Sequence, residues 1–325
     1  MFLQKLSRQL LTANTVLNVN TLRCLNYGLN TALGKTETEI IEKWKQKFAK
    51  ENIDEIESSI KHILHHVIDK RETLTDKKDD QQIILTKEQI NRFEQLCECR
   101  MARMPVQYII GEWDFCDLVL KMVPPVFIPR PETEELVELI LQQCDDKLTM
   151  RFLEVGCGSG AISLSLLHSL PKAQSIAIDQ SEYACKLTLE NAKNLQLNNR
   201  IKVIKHKLTN ESELPMIEGK LDLIVSNPPY VLTHDLKKLE PEISLYEDLR
   251  ALDGGPDGLN IIRSILTFAS KRLKLQGHLW LEVDPSHPSL IEEYLQENKS
   301  DLNLKFVACY KDMYGKERFV EIMKI

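Results

Sequence analysis

The chain has 325 residues, of which 43% are hydrophobic and 28% are charged, and its formal net charge is −6. This size and composition predict one large or two modest globular domains with an ample apolar core. The acidic balance argues against a protein that holds nucleic acid by bulk electrostatic attraction, and no apolar stretch reaches the roughly 18 residues that a membrane span requires.

Residues 1–36 contain basic side chains but no acidic one, since the first acid of the chain is Glu37. Four apolar residues of this segment can share one face of a helix: Phe2, Leu3, Leu6 and Leu10. A basic, amphipathic, acid-free N-terminus is typical of a mitochondrial transit peptide, although an ordinary disordered or helical N-terminus is the alternative. The segment therefore predicts the mitochondrial matrix as the location, with the cytoplasm as the alternative, and it is excluded from the fold.

Residues 37–106 are predicted to form a small helical domain. Apolar side chains recur at helical spacing over residues 40–48 and again over residues 56–67. A further helix opens at Thr86-Lys87-Glu88-Gln89, which has the pattern of a capping box. Because these helices contain no catalytic constellation, their predicted role is packing or the recognition of a partner.

The residues that commonly bind metals are scattered along the chain. His62 and His66 are four residues apart, but no third ligand accompanies them. None of the eight cysteines forms a Cys-x-x-Cys pair, which predicts a reducing compartment and no metal site.

Residues 107–325 are predicted to form an α/β domain, entered through a β-hairpin over residues 107–122. The segment from Phe127 to Glu135 places proline and acids at the start of a helix, and it could also wall a pocket. Strands and helices then alternate, which predicts about seven strands in a doubly wound sheet. The last two strands, joined through Tyr314-Gly315-Lys316, could form a hairpin that makes one strand antiparallel.

A glycine-rich turn follows the first strand of this alternation. Gly156-Cys157-Gly158-Ser159-Gly160 separates a strand over residues 151–155 from a helix, so that the backbone can approach a ligand closely. The next strand ends in Asp179, whose carboxylate could accept hydrogen bonds from ribose hydroxyls. The glycine spacing allows a dinucleotide, and it allows equally a nucleoside without pyrophosphate, such as S-adenosylmethionine; a purely structural turn is the third possibility.

The most specific pattern is an apolar strand over residues 221–226 that ends in Asn227-Pro228-Pro229-Tyr230. Prolines fix the backbone and remove donors, so carbonyl oxygens here point in fixed directions without local partners. The Asn227 amide oxygen and the ring of Tyr230 complete a socket for a planar NH2 group. Acceptors that draw on its two N–H bonds return electron density to the nitrogen, and this stabilisation grows in the transition state.

Several segments together resemble the HemK/PrmC family of peptide-chain-release-factor glutamine N5-methyltransferases. The similarity covers roughly residues 38–325, and the transit-like leader points to a mitochondrial member. The segments that carry it are Pro105–Gly111, Ile128–Glu134, Glu154–Gly160, Asn227–Tyr230, Ala251–Leu259 and Tyr314–Arg318.

The resemblance implies a seven-stranded Rossmann-like class I methyltransferase domain with a small N-terminal helical domain that helps to hold a class I release factor. S-adenosylmethionine would be the cofactor, and the glutamine of the Gly-Gly-Gln motif would be the acceptor. The cofactor would lie against Gly156, Cys157, Gly158, Ser159, Gly160, Asp179, Leu208 and Asn227. Asn227, Pro228, Pro229 and Tyr230 would bind the glutamine, with Asn227, Pro228 and Tyr230 as the catalytic residues. One departure is His206-Lys207-Leu208-Thr209, which stands where the family has an acid and an aromatic residue at the adenine.

Three other functions are compatible with parts of the pattern. The tetrapeptide suits the exocyclic amine of adenine in DNA or RNA, delivered by base flipping, but the acidic charge and the lack of a basic recognition segment oppose this. A non-catalytic nucleotide-binding module would leave both motifs without a purpose. A nicotinamide oxidoreductase would leave Asn227–Tyr230 unexplained.

Overall fold

The computed structural model describes residues 37–68, 85–144, 149–212, 214 and 217–325. The predicted leader over residues 1–36 lies outside the described residues. The chain divides into two compact units, Met1–Ala102 and Arg103–Ile325, so the division follows residue 102 where the sequence predicted residue 106. Within the described ranges, no helix combines the length and apolarity needed to cross a bilayer.

The first unit contains the predicted helices: α1 (Glu37–Lys50), α2 (Ile56–Ile68) and α3 (Lys87–Met101). The apolar stripes form its core, in which Trp44, Phe48 and Phe93 are fully buried. The capping box is confirmed, because the Gln89 N–H donates to the Thr86 hydroxyl at 3.2 Å and the Thr86 N–H donates to the Gln89 side chain at 2.9 Å.

The second unit begins with a single helical turn, α4 (Val106–Ile110), where the sequence predicted the first strand of a hairpin. Pro105 precedes this turn and Gly111 ends it with a φ of +79°, a left-handed conformation that favours glycine. The hairpin itself is shorter, with β1 (Glu112–Phe115) antiparallel to β2 (Leu118–Lys121). The prediction of a hairpin over residues 107–122 is therefore wrong in its first part.

Seven strands form one sheet, and they are β3 (Arg151–Val155), β4 (Gln174–Asp179), β5 (Ile201–Lys205), β6 (Leu221–Ser226), β9 (Leu273–Glu282), β10 (Leu304–Lys311) and β11 (Glu317–Lys324). Their order across the sheet is β10-β11-β9-β6-β3-β4-β5. Only β11 runs antiparallel to its neighbours in this sheet, which confirms the predicted α/β fold with a closing hairpin. A small parallel pair, β7 (Val231–Leu232) and β8 (Asp253–Gly255), was not predicted.

Helices cover both faces of the sheet. They are α5 (Pro131–Gln143), α6 (Ala161–Ser169), α7 (Glu182–Asn194), α8 (Pro241–Tyr246), α9 (Asn260–Arg272), α10 (His287–Glu297) and α11 (Lys299–Leu302). Each face has its own apolar cluster, with Phe152 in one and the adjacent Leu153 in the other, as the alternation of a strand requires. Two buried faces explain why the central strands read as continuous apolar runs.

The register of the central strands aligns their carboxyl ends. Val155 of β3 pairs with Ser226 of β6 on one side and with Ile178 of β4 on the other. Ser226 pairs in turn with Leu281 of β9. Strand order reverses between β3 and β6, and a crevice at such a point is where ligands bind in open α/β sheets.

Candidate active site

The glycine loop is a tight turn that leaves open space above its centre. Gly160 begins α6 with a φ of +86°, and its N–H donates to the Cys157 carbonyl at 2.7 Å. A Cβ atom at Gly160 would lie 2.9 Å from the Leu164 side chain, so only glycine fits there. A Cβ atom at Gly158 would meet nothing within 4 Å. The space beside Gly158 is therefore open.

Asp179 braces this loop from the end of β4. Its carboxylate accepts the N–H of Gly158 at 3.1 Å and the N–H of Ser181 at 2.7 Å. Burial raises the pKa of Asp179, against the effect of these two hydrogen bonds. Each carboxylate oxygen keeps a further lone pair, so Asp179 can still accept hydrogen bonds from the hydroxyls of a sugar.

Helix α7 holds the loop from the other side. The Thr188 hydroxyl donates to the Gly158 carbonyl at 3.0 Å, and the Asn191 amide donates to the Ser159 carbonyl at 2.9 Å. Cys157 and Ser159 have buried side chains. Gly156 is exposed and Gly158 is partly exposed, so these two residues are the part of the loop that a ligand can reach.

Asn227 begins the second motif beside the glycine loop. Its main-chain oxygen would lie 3.9 Å from a Cβ atom at Gly156. The Ser226 hydroxyl donates to the Val155 carbonyl at 2.6 Å and ties the two strand ends together. The structure thus brings the two predicted motifs to one edge of the sheet.

The segment from Ala251 to Leu259 supports the tetrapeptide from behind. A Cβ atom at Gly254 would lie 2.8 Å from the Tyr230 Cα, which requires glycine for the close approach of the two backbones. The Val231 N–H donates to the Leu252 carbonyl at 2.9 Å, next to the β7–β8 pair. Tyr230 is therefore held by main-chain contacts on its far side.

Two residues that the sequence analysis did not assign lie directly behind Asn227. The Thr133 hydroxyl donates to Glu282 Oε2 at 2.7 Å and accepts from Asn227 Nδ2 at 3.1 Å. The Tyr230 hydroxyl donates to Glu282 Oε1 at 3.5 Å. Burial raises the pKa of Glu282 to about 7, while the hydrogen bond from Thr133 and the charge of Arg318 oppose the shift. The feature of the sequence that could have identified Glu282 is its position as an acid at the end of an apolar strand, β9, which pairs with β6.

A second buried acid, Glu154, lies one residue before the end of β3. Its Oε2 accepts the N–H of Ser163 in the first turn of α6 at 3.0 Å. Burial raises its pKa to about 8, although the hydrogen bonds from Ser163 favour ionisation. Glu154 therefore anchors the helix that the glycine loop introduces.

Leu208, the predicted contact at the adenine, packs into the apolar cluster that includes Ile178 and Leu259. Its side chain is buried. The chain reaches it through His206, whose N–H donates to the Asp179 carbonyl at 2.8 Å. Leu208 lies near Asp179 along the chain path, but its role at an adenine stays a prediction. In the described part of the chain, no group of three or more His, Cys, Asp and Glu side chains could hold a metal ion.

Comparisons with known proteins match both parts of the chain. Residues 39–111 match the PrmC N-terminal domain and residues 128–243 match the Methyltransferase small domain. A human protein, MTRF1L release factor glutamine methyltransferase, is 45% identical over 91% of this chain and 88% of its own length. The release factor glutamine methyltransferase of Thermodesulfovibrio yellowstonii is 37% identical over 84% of this chain and 93% of its own length.

Among solved structures, TrmN from Thermus thermophilus is similar to the chain. The identity is 20%, and the match covers 58% of this chain and 48% of that one. The TM-score of this match is 0.43.

Glu154→Gln is expected to stabilise the protein in a manner that depends on pH. Folding raises the pKa of Glu154 from 4.5 to about 8, so its contribution to stability is fully present below pH 4.5 and is lost as pH rises through 8. The advantage of the variant over the parent should therefore grow between pH 5 and pH 8, by up to about 1.4 kcal/mol for each pH unit. Calorimetric unfolding at several pH values measures it. The exposed Glu138→Gln is the control, and an advantage that is the same at every pH would contradict the expectation.

Proposed function

The chain belongs to the release factor glutamine methyltransferase family, and we propose that Asn227–Tyr230 hold the glutamine side chain of a release factor while the glycine loop and Asp179 hold S-adenosylmethionine. The reaction is the methylation of the glutamine side-chain nitrogen. The chain is a methyltransferase that supports the termination of translation.

The glycine loop fits the cofactor because the space above Gly158 is open. Main-chain groups from Gly156 to Gly160 would line its methionine part, and Asp179 would accept hydrogen bonds from the ribose hydroxyls. Leu208 would lie on the adenine side. S-adenosylmethionine, when bound, supplies a methyl group on a positively charged sulfur. Because Cys157 and Ser159 are buried, the cofactor would meet the loop mainly at Gly156 and Gly158.

The residues of the tetrapeptide make a weak nucleophile reactive. An amide nitrogen is a poor nucleophile because its lone pair is delocalised into the carbonyl group. Asn227 Oδ1 and the Pro228 carbonyl accept its two N–H bonds, and the Tyr230 ring stacks on its plane. Bound S-adenosylmethionine would supply the methyl group to this nitrogen, and its sulfur would be the leaving group. The nitrogen then loses a proton to water, so the site needs no dedicated base.

One observation supports this proposal above the others. Val155 and Ser226 are paired, so the glycine loop and the tetrapeptide that follow them begin side by side. This supports methyl transfer, which requires its two reactants in line and in contact. The alternative, adenine-N6 methylation of nucleic acid, has no comparable support, because the two relatives that are 45% and 37% identical to the chain are both named for release factors.

The partner is proposed to be a class I release factor, with the Gly-Gly-Gln glutamine as the acceptor. The helical residues 37–106 help to hold it, while residues 107–325 carry the chemistry. The proposed location is the mitochondrial matrix, in agreement with the acid-free residues 1–36.

Removing this protein from cells is expected to abolish methylation of the Gly-Gly-Gln glutamine in a mitochondrial release factor. Mass spectrometry of that peptide, from cells with and without the protein, measures the change of one methyl group. The Gly-Gly-Gln peptide of the cytoplasmic release factor in the same cells is the control, and its methylation state should not change. Unchanged methylation of the mitochondrial peptide would contradict the proposal.

Asn227→Ala should reduce kcat about 100- to 1,000-fold, because it removes an acceptor that acts most strongly in the transition state. Its affinity for S-adenosylmethionine should change little. Transfer of a labelled methyl group to a release factor gives kcat, and calorimetric titration gives the affinity. The exposed Asn199→Ala is the control. A variant that kept its kcat and lost cofactor affinity would show that Asn227 has another role.

Gly158→Ala is expected to weaken the binding of S-adenosylmethionine at least tenfold, since its methyl group would enter the space assigned to the cofactor. Gly111→Ala is a matched control, because Gly111 also has a positive φ and would also meet nothing within 4 Å. Both variants carry a similar backbone strain of about 1 kcal/mol, so their melting temperatures should fall alike. Equal cofactor affinity in the two variants would argue against this placement.

A further inference from the structure

We propose that Thr133 is a positioning residue that, with Glu282 behind it, sets which end of the Asn227 amide faces the substrate. The inference rests on the proposed function, because it concerns how Asn227 presents its oxygen to the glutamine amide. Its basis is a chain of hydrogen bonds from Glu282 through Thr133 to Asn227.

The direction of this chain follows from the chemistry of its members. An ionised carboxylate only accepts hydrogen bonds, and a hydroxyl has a single hydrogen. At 2.7 Å from Glu282 Oε2, the Thr133 hydroxyl gives that hydrogen to the carboxylate. It can then only accept from Asn227, so the NH2 end of the amide must face Thr133 at 3.1 Å. Asn227 also donates to Glu282, which lowers the pKa of that carboxyl.

The amide oxygen is left for a ligand. None of the described residues donates a hydrogen bond to Asn227 Oδ1. This oxygen is also not fully buried, because it is absent from the set of buried polar atoms that lack a partner. Since an amide is planar, fixing its nitrogen also fixes its oxygen. Thr133 thus holds an acceptor toward the crevice, where the NH2 group of the substrate requires one.

Burial makes this arrangement strict. Thr133 is 3% exposed and Glu282 is 1% exposed, so water cannot replace a missing partner at low cost. Without the Thr133 hydroxyl, Asn227 can turn over and present its NH2 group to the NH2 group of the substrate. Two donors that face each other cannot hydrogen-bond, and the acceleration that Asn227 provides would be lost.

The ionisation of Glu282 adds a second readout. Burial raises its pKa to about 7, so acid converts the carboxylate into a group that can donate. A protonated Glu282 no longer requires a donor from Thr133 or Asn227, and the orientation is lost. The kcat of the parent should therefore fall as pH drops below about 7. The groups that face Glu282 from the elements around it are Glu132 and Thr133 of α5, Asn227 and Tyr230 after β6, and Arg318 of β11.

Thr133→Val removes the hydroxyl at nearly constant volume and should lower kcat about 10- to 100-fold, as a misplaced catalytic group does. The affinity for S-adenosylmethionine should stay within about twofold of the parent. Thr133→Ser restores the hydroxyl and should recover kcat to within about threefold. Thr267→Val is the matched control, because its hydroxyl bonds only to its own helix, at 3.0 Å from the Arg263 carbonyl.

The proposal is overturned if Thr133→Val keeps the kcat of the parent, if Thr133→Ser is as slow as Thr133→Val, or if cofactor affinity falls by the same factor as kcat. Should Thr133→Val fold poorly, Glu282→Gln provides the test, since it should remove the fall in kcat below pH 7. A profile that keeps this fall in Glu282→Gln contradicts the inference. Asn227→Ala distinguishes a failure of this inference from a failure of the proposed function. If Asn227→Ala is slow while Thr133→Val is fast, only the positioning role of Thr133 fails. If Asn227→Ala is fast, the proposed function of Asn227 fails too.

Discussion

The parallel pairing of β3 with β6, with Val155 opposite Ser226, is the constraint on which the site depends. When two neighbouring strands end at the same level, the loops that follow them begin side by side. The glycine loop and the tetrapeptide therefore lie at one edge of the sheet. A slip of one residue would turn the side chains of β6 to the opposite faces of the sheet. The hydrogen bond from the Ser226 hydroxyl to the Val155 carbonyl, at 2.6 Å, adds a local reason for this register.

Two buried acids, Glu154 and Glu282, link the ends of strands to the helices. Glu154 binds the third residue of α6 and Glu282 binds the third residue of α5, so each joins a strand to the first turn of a helix. The N-terminus of a helix favours a nearby negative charge, yet burial is the larger effect, and both pKa values lie above the ordinary range. The protein thus holds two acids at a cost in stability near neutral pH. At Glu282 that cost accompanies contacts with Thr133, Asn227 and Tyr230.

Local patterns predicted most of the fold and pointed to the two motifs of the candidate site, whose roles stay predictions. The capping box at Thr86 and the hairpin formed by the last two strands follow from residues that are neighbours in sequence. Residues 156–160 and 227–230 lie together because the parallel strands that precede them end at one edge of the sheet. The helical turn over residues 106–110 was missed because its apolar residues fit a strand equally well. Thr133 and Glu282 are 149 residues apart, and no local pattern reports a contact that only the folded sheet creates.

The hydrogen bonds from Asn227 to Thr133 and from Thr133 to Glu282 explain why acceptors suit this chemistry better than a base. An amide nitrogen holds its protons too firmly to lose one before it reacts, whereas the alkylated nitrogen is acidic enough to release one to water. The site therefore has to raise electron density on nitrogen and tolerate the positive charge that appears there. In the proposed site, an oxygen held by Asn227 and backed by the buried carboxylate of Glu282 would do both, because the two acceptors polarise one another through Thr133 in a medium of low dielectric constant. A free carboxylate in contact with the amide would instead attract the positively charged methyl donor as a competing nucleophile. Placing the charge behind a neutral amide keeps its electrostatic effect and removes its reactivity.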